Sequence, residues 1–218
     1  MERNYRLVVF DWDGTLMDSA GAIVACMQAA ARDLGLQPPD DAMARQVIGL
    51  GLHDALSRVL PDAPISEHGR IAERYRHHYL SQDHELSLFT GAYEMVAELR
   101  TAGCLLGVAT GKSRLGLNRA LALTSLGDLF HATRCADECT SKPAPDMLLE
   151  LMEELEAEPE STLMIGDTTH DLQMARNAGV RSLGVGFGAH SREELARENP
   201  LALFDQLSDL REWLRLNG

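Results

Sequence analysis

Lysine is nearly absent from the chain: of 20 basic residues only Lys112 and Lys142 are lysine, and 33 acidic residues leave a formal charge of −13. That balance argues against a nucleic-acid polymer or an anionic membrane as partner, because both are held by positive charge that neutralises phosphates. An anionic substrate must therefore meet local positive charge. Each lysine follows a short apolar run and a Gly or Ser, which makes the pair candidates for that task. Cysteine is also scarce. Cys26, Cys104, Cys135 and Cys139 are too few and too scattered for a disulfide framework in 218 residues. Cys135 and Cys139, spaced C-x3-C without a second pair, read as reduced thiols rather than a zinc site. No apolar run approaches the roughly 18 residues needed to span a bilayer. The opening MERNYRLVVFD holds too short an apolar stretch for a signal-peptide core. The expected setting is cytoplasmic, the expected partner a small molecule, and the expected assembly a monomer or homodimer.

What is present is a repeated alternation. Short β-rich runs end in polar residues at LVVFD (7–11), LLGVAT (105–110), TRCADE (133–138), TLMIGD (162–167) and SLGVG (182–186). Helical periods separate them: GAYEMVAELRTAG closing on Gly103, PDMLLELMEELE after Pro145, HDLQMARNAG closing on Gly179, and a last amphipathic LSDLREWLRL. Strands alternating with helices predict an α/β fold, a Rossmann-like doubly wound parallel sheet. Residues 19–90 break the rhythm and read as helices only, separated by Pro38-Pro39, Gly49-Leu50-Gly51 and the stretch Pro61 to Pro64. The expected organisation is an α/β catalytic core of residues 1–18 and 91–218 with an inserted all-helical cap of residues 19–90.

In a parallel sheet, ligands gather beyond the carboxyl ends of the strands. That edge receives Asp11, Asp13, Thr110, Asp167 and Asp171, with Lys142 arriving on a loop. Like charges near 4 Å repel by roughly 4 kcal/mol per pair at an effective dielectric of about 20, which only protons or cations relieve. Lys112, Lys142 and a divalent ion would balance the four carboxylates. A hard, oxygen-rich site with few protein ligands suits Mg²⁺ better than zinc.

D-W-D-G-T at Asp11 to Thr15, Thr110 after a strand, Lys142 before a Pro, and G-D-x-x-x-D at Gly166 to Asp171 give the chain its kinship. In order and spacing it resembles the haloacid dehalogenase superfamily, in its helical-cap branch, and is similar to phosphoglycolate phosphatases. The resemblance implies an Mg²⁺-dependent phosphatase acting on a small phosphorylated metabolite: phosphoglycolate-like, a sugar phosphate or a nucleotide. It implies that Asp11 is the nucleophile that forms an aspartyl-phosphate and that Asp13 is the general acid and base. It implies phosphate binding by Thr110, Gly111 and Lys142, and a metal held by the Asp11 and Asp167 carboxylates and the Asp13 backbone carbonyl, with Asp171 behind them. Lys112 and Arg45 are further candidates for substrate contact, and the Gly49-Leu50-Gly51 turn and His53 lie where a cap would lean over the phosphate.

Alternatives stay open beside this reading. A β-phosphoglucomutase-like phosphotransferase shares the same core residues. A dehalogenase would lack Asp13, and a phosphonate-cleaving relative would need a cap lysine, which residues 19–90 do not contain. A signalling receiver domain, a phospho-switch without turnover, gathers similar residues in a different order and carries no cap; an idle relative serving as a binding module is the third alternative. Asp18 and Ser19 read as structural, with Ser19 placed to cap the first cap helix. His170 reads as a helix-start residue, and Thr15 as a brace for the turn that Gly14 permits.

Overall fold

In the computed structural model, which describes residues 4–217, six parallel strands form one sheet; residues 1–3 and 218 of the expected core segments lie outside the described residues. The strands are β1 (Leu7–Phe10), β2 (Leu105–Thr110), β3 (Ala132–Cys135), β4 (Thr162–Gly166), β5 (Arg181–Val185) and β6 (Ala202–Phe204). Their order is β3-β2-β1-β4-β5-β6, the doubly wound arrangement, in which the chain runs outward in both directions from β1.

The central position of β1 explains its unbroken apolar sequence. Leu7, Val8, Val9 and Phe10 are all fully buried, and their side chains alternate between two cores because successive residues of a strand face opposite ways. Val8 and Phe10 pack with Leu106, Val108, Met95 and Leu210 on one face; Leu7 and Val9 pack with Met147, Leu151, Met164 and Met174 on the other. The helices that cover these faces are α5 (Ala92–Thr101), α6 (Arg114–Thr124), α7 (Asp146–Glu154), α8 (Thr169–Asn177), α9 (Arg192–Arg197) and α10 (Leu207–Asn217).

Four helices precede them: α1 (Ala20–Asp33), α2 (Asp41–Arg45), α3 (Leu52–Val59) and α4 (His68–Gln82). They bury an apolar cluster of their own, including Ile23, Met27, Val47, Leu56 and Ile71, to which the rest of the chain adds Ala189. No helix among the described residues is long and apolar enough to cross a membrane.

Local differences from the sequence reading have physical causes. The helix expected over DDAMARQVIG stops at Arg45, because Ile48 and Leu50 turn back onto the carbonyls of Arg45 and Val47 and bury Val47, Ile48 and Leu50. The third strand covers Ala132–Cys135 rather than 133–138, since Glu138 folds back to accept the Cys135 N–H and is gripped by Arg114. Three elements were absent from the expectation. Strand β6 is three half-buried residues, too short to show a period. Helix α6 buries only Leu117 and Ala120 and contains Gly116 and Asn118, weak helix formers. Helix α9 is six residues long.

Candidate active site

The register Phe10↔Ile165 sets the ends of β1 and β4 side by side at the switch point of the sheet, so Asp11 and Asp167 leave adjacent strands together. The Asp11 N–H donates to the Ile165 carbonyl at 2.9 Å, extending the ladder by one residue. Beyond it Gly14 turns at φ +84°, in the left-handed region, and a Cβ there would collide with the Asp167 carboxylate.

Asp11, Asp167 and Asp171 are all fully buried, and one carboxylate oxygen from each lies within 4.8 Å of the others. Lys142, 2% exposed, brings its ammonium to Asp11 Oδ1 at 2.7 Å and Asp171 Oδ1 at 2.6 Å. Burial pulls the lysine toward its neutral form, but the two carboxylates outweigh it and hold its pKa above the ordinary value. Asp171 does a second job. Its Oδ2 accepts from the Thr168 N–H and hydroxyl, closing a capping box at the start of α8, so the helix terminus and the lysine fix one carboxylate.

Burial raises the Asp11 pKa well above the carboxylate range; Lys142 opposes this, and Asp171 and Asp167 add to it. Asp167 is pushed up to about 7, first by burial and then by Asp171, although it accepts from the Ala189 N–H at 2.7 Å and the Thr15 hydroxyl at 2.9 Å. Thr15 thus braces the turn through the acid opposite. Asp11 Oδ2 is buried and accepts no hydrogen bond among the described residues. Three ionised carboxylates and one ammonium sum to −2, and an all-oxygen donor set with an unpartnered buried oxygen fits a hard divalent cation, whose charge would reverse the upward shifts.

Asp13 is held apart from that cluster. Its carboxylate accepts from the Ser19 hydroxyl at 2.7 Å and from the Lys112 ammonium at 2.9 and 3.0 Å. The chain's two lysines are therefore divided between the two acids of the D-W-D segment, Lys142 on Asp11 and Lys112 on Asp13. Lys112 also donates to the Tyr79 hydroxyl of α4 at 2.9 Å. Ser19 precedes α1 but makes no side-chain cap; its hydroxyl goes to the acid instead, which corrects the expected capping. Asp13 contributes no carboxylate to the three-acid cluster.

Thr110 is buried at the end of β2, where its hydroxyl accepts from the Lys112 N–H at 3.2 Å. Gly111 lies directly beneath the carbonyls of Gly49 and Leu50, against which any Cβ would clash, so the Gly49-Leu50-Gly51 turn rests on the end of β2 at this point. The Gly51 N–H donates to Ser141 Oγ at 2.8 Å, beside Lys142. His170 meets the Gln46 carbonyl at 2.9 Å from its position in the first turn of α8. Arg45, expected as a substrate contact, donates to the Gly188 carbonyl at 3.5 Å and does not line the cavity that opens from Asp11 and Asp13, whereas His53 does. Ser19, Tyr79 and the Gly188-Ala189 backbone were missed from sequence. Ser19 stood eight residues beyond Asp11 as a visible hydroxyl; Tyr79 and Ala189 are joined to the site only by folding. Trp12 is fully buried in the core on the α5 face, and its indole N–H has no partner among the described residues.

Residues 8–185 match a family described as haloacid dehalogenase-like hydrolase. The chain is 36% identical over 210 residues to a probable phosphatase, IndB, of Dickeya dadantii, covering 94% of this chain and 91% of that one. It is 30% identical over 213 residues to pyrophosphatase PpaX of Bacillus mycoides, covering 97% and 98%. A solved hydrolase from Pseudomonas syringae superposes with a TM-score of 0.88 at 24% identity, covering 96% and 97%, a likeness of fold.

Proposed function

The chain belongs to the haloacid dehalogenase-like hydrolase family and is a phosphatase, and from that premise we propose that it releases phosphate from a small phosphorylated metabolite in two steps through an aspartyl-phosphate on Asp11. The observation that carries this reading is the contrast between two neighbouring acids: Asp11 has a buried oxygen with no hydrogen-bond partner, while Asp13 is held on both oxygens by Ser19 and Lys112. One carboxylate is left free to bond and the other is oriented.

In the first step an Asp11 oxygen attacks phosphorus, the bond from phosphorus to the leaving oxygen breaks, and Asp13 gives that oxygen a proton. In the second, Asp13 takes a proton from water as it attacks the same phosphorus, and Asp11 is released. Thr110, Gly111 and Lys142 are assigned to the phosphoryl oxygens, where charge accumulates. Asp11, Asp167 and the Asp13 backbone carbonyl would hold Mg²⁺, with Asp171 behind them. The ion supplies charge stabilisation to the phosphoryl group when bound. We divide the chain into a core of residues 1–18 and 91–218 and a cap of residues 19–90. Arg45, expected to contact the substrate, meets the Gly188 carbonyl instead, and we assign it to the contact between cap and core. A phosphotransferase would use the same residues, and isomerisation of a sugar phosphate without net phosphate release would identify it.

Purified protein assayed for phosphate release from phosphoglycolate, sugar phosphates and nucleotides tests the reading. Release should require Mg²⁺, vanish on chelation and return on re-addition, and fall by orders of magnitude in Asp11→Asn. Full turnover by Asp11→Asn, or turnover indifferent to Mg²⁺, would overturn it.

A further inference from the structure

From Asp11 and Asp13 a cavity of about 700 Å³ runs between the cap and the core. That is space for roughly 20 waters at their share of liquid volume, about 30 Å³ each. Phosphoglycolate, two carbons and a carboxylate beyond its phosphate, would leave most of it empty, and pyrophosphate would do the same. The cap side of the cavity is aliphatic and aromatic: Ile23, Met27, Leu50, Tyr75, Tyr79 and Leu80. Tyr75 and Tyr79, one turn apart on α4, stack with ring centroids 5.9 Å apart and planes 25° from parallel, and the Lys112 ammonium lies 4.6 Å from the Tyr79 ring centre, so Tyr79 is engaged by its neighbours and Tyr75 supplies the aromatic wall.

The charges around this wall are unfavourable to a second anion. Lys112 is committed to Asp13, and Arg119 is paired with Asp83. Arg76, exposed at the cavity's edge, has no ion pair among the described residues, and Asp54 and Asp137 also line the space. A carboxylate or second phosphate seated against Tyr75 would be desolvated with only the exposed Arg76 uncommitted among the lining Lys and Arg side chains and with Asp54 and Asp137 opposing it, a costly arrangement. An uncharged polar atom is treated differently. The Tyr75 hydroxyl makes no hydrogen bond among the described residues, and burial raises its pKa so that it stays a neutral phenol able to donate and accept.

We propose that the alcohol released by this phosphatase carries an uncharged planar ring, seated against Tyr75. The inference rests on the phosphatase reading above and narrows its substrate class. Two sources supply such a ring: a simple aryl group, or the base of a nucleoside, which adds hydrogen-bonding atoms for the Tyr75 hydroxyl.

Full-length protein with Mg²⁺ is assayed for kcat/KM on phosphoglycolate, pyrophosphate, ethyl phosphate, decyl phosphate, naphthylmethyl phosphate and the nucleoside 5′-monophosphates. A ring-bearing ester should exceed phosphoglycolate, pyrophosphate and decyl phosphate by about 10-fold or more, as expected when a stacked ring is worth 1–3 kcal/mol. In Tyr75→Ala the ratio of the preferred ring ester to ethyl phosphate should fall by a similar factor. Tyr75→Phe should keep that ratio for naphthylmethyl phosphate and reduce it for a nucleotide, which separates the two sources. Faster turnover of phosphoglycolate, pyrophosphate or decyl phosphate by the unaltered protein overturns the inference while leaving the phosphatase reading intact. Absence of phosphate release from every ester overturns both.

Discussion

Ser19 Oγ donates to Asp13 Oδ1 at 2.7 Å, although Ser19 sits at the position from which it could have capped helix α1. The hydroxyl has been diverted from the helix to the acid. Ser19→Ala should therefore lower kcat by about 10- to 100-fold, the span of a hydrogen bond to a charged group at 1.5–3 kcal/mol. Helix content should not change, and Ser19→Thr should recover most of the rate. Phosphate-release kinetics beside circular dichroism would check both; loss of helix in Ser19→Ala with kcat unchanged would contradict the assignment.

Lys142 binds two buried carboxylates, so its removal exposes each to the other. Breaking a buried pair in this way costs about 3–5 kcal/mol. Lys142→Met should lose stability in that range by urea denaturation and lose turnover as well. Lys142→Arg should not rescue either property, since a planar guanidinium differs in shape from the ammonium seated in a fully enclosed site.

Gly14 and Gly35 both adopt positive φ, at +84° and +70°, but only Gly14 faces an obstacle. Gly35→Ala should cost about 1–2 kcal/mol, the left-handed backbone penalty alone. Gly14→Ala should cost more and abolish activity, because its methyl group displaces Asp167. Equal effects on stability and on turnover would show that the approach of Gly14 to Asp167 is unimportant.

His131 accepts from the Leu106 N–H at 2.9 Å and from Arg100 at 3.0 Å on the same ring nitrogen, and burial together with Arg100 holds its pKa below the ordinary value. Both states are neutral at that residue well above about 6.5. As pH falls through that value the unfolded chain takes the proton first, so the His131 contribution to stability declines until the lowered folded pKa is passed. His131→Asn keeps an acceptor but cannot titrate. Its stability should depend less on pH over that window than the unaltered protein's, measured by thermal unfolding at a series of pH values.

The sequence shows most of the sheet because a central parallel strand must be apolar on both faces, so LVVF and TLMIG stand out without any knowledge of their partners. Asp11 and Asp167 were legible for a related reason: a carboxylate directly after such a strand has nowhere to lie but the sheet's edge; Asp171, inside α8, was legible only through the G-D-x-x-x-D spacing. Lys112 and Ser19 were harder. Both are common loop residues, and their shared target, Asp13, becomes apparent only when the loop after β2 and the start of α1 meet. Tyr79 was illegible, because a tyrosine on a polar helix face reads as surface until the cap is laid over the core. Residues that act within their own strand-end motif could be read; those brought in across the cap–core boundary could not.

Bond formation between an Asp11 oxygen and phosphorus is the central step of the proposed mechanism. The most direct measurement is to quench the Mg²⁺-loaded protein during turnover into borohydride, which reduces an aspartyl-phosphate to homoserine, and to map the product by peptide mass spectrometry. Homoserine should appear at position 11 in the presence of substrate and not in its absence. Homoserine at another aspartate, or sustained turnover by an Asp11→Asn protein, would contradict that mechanism.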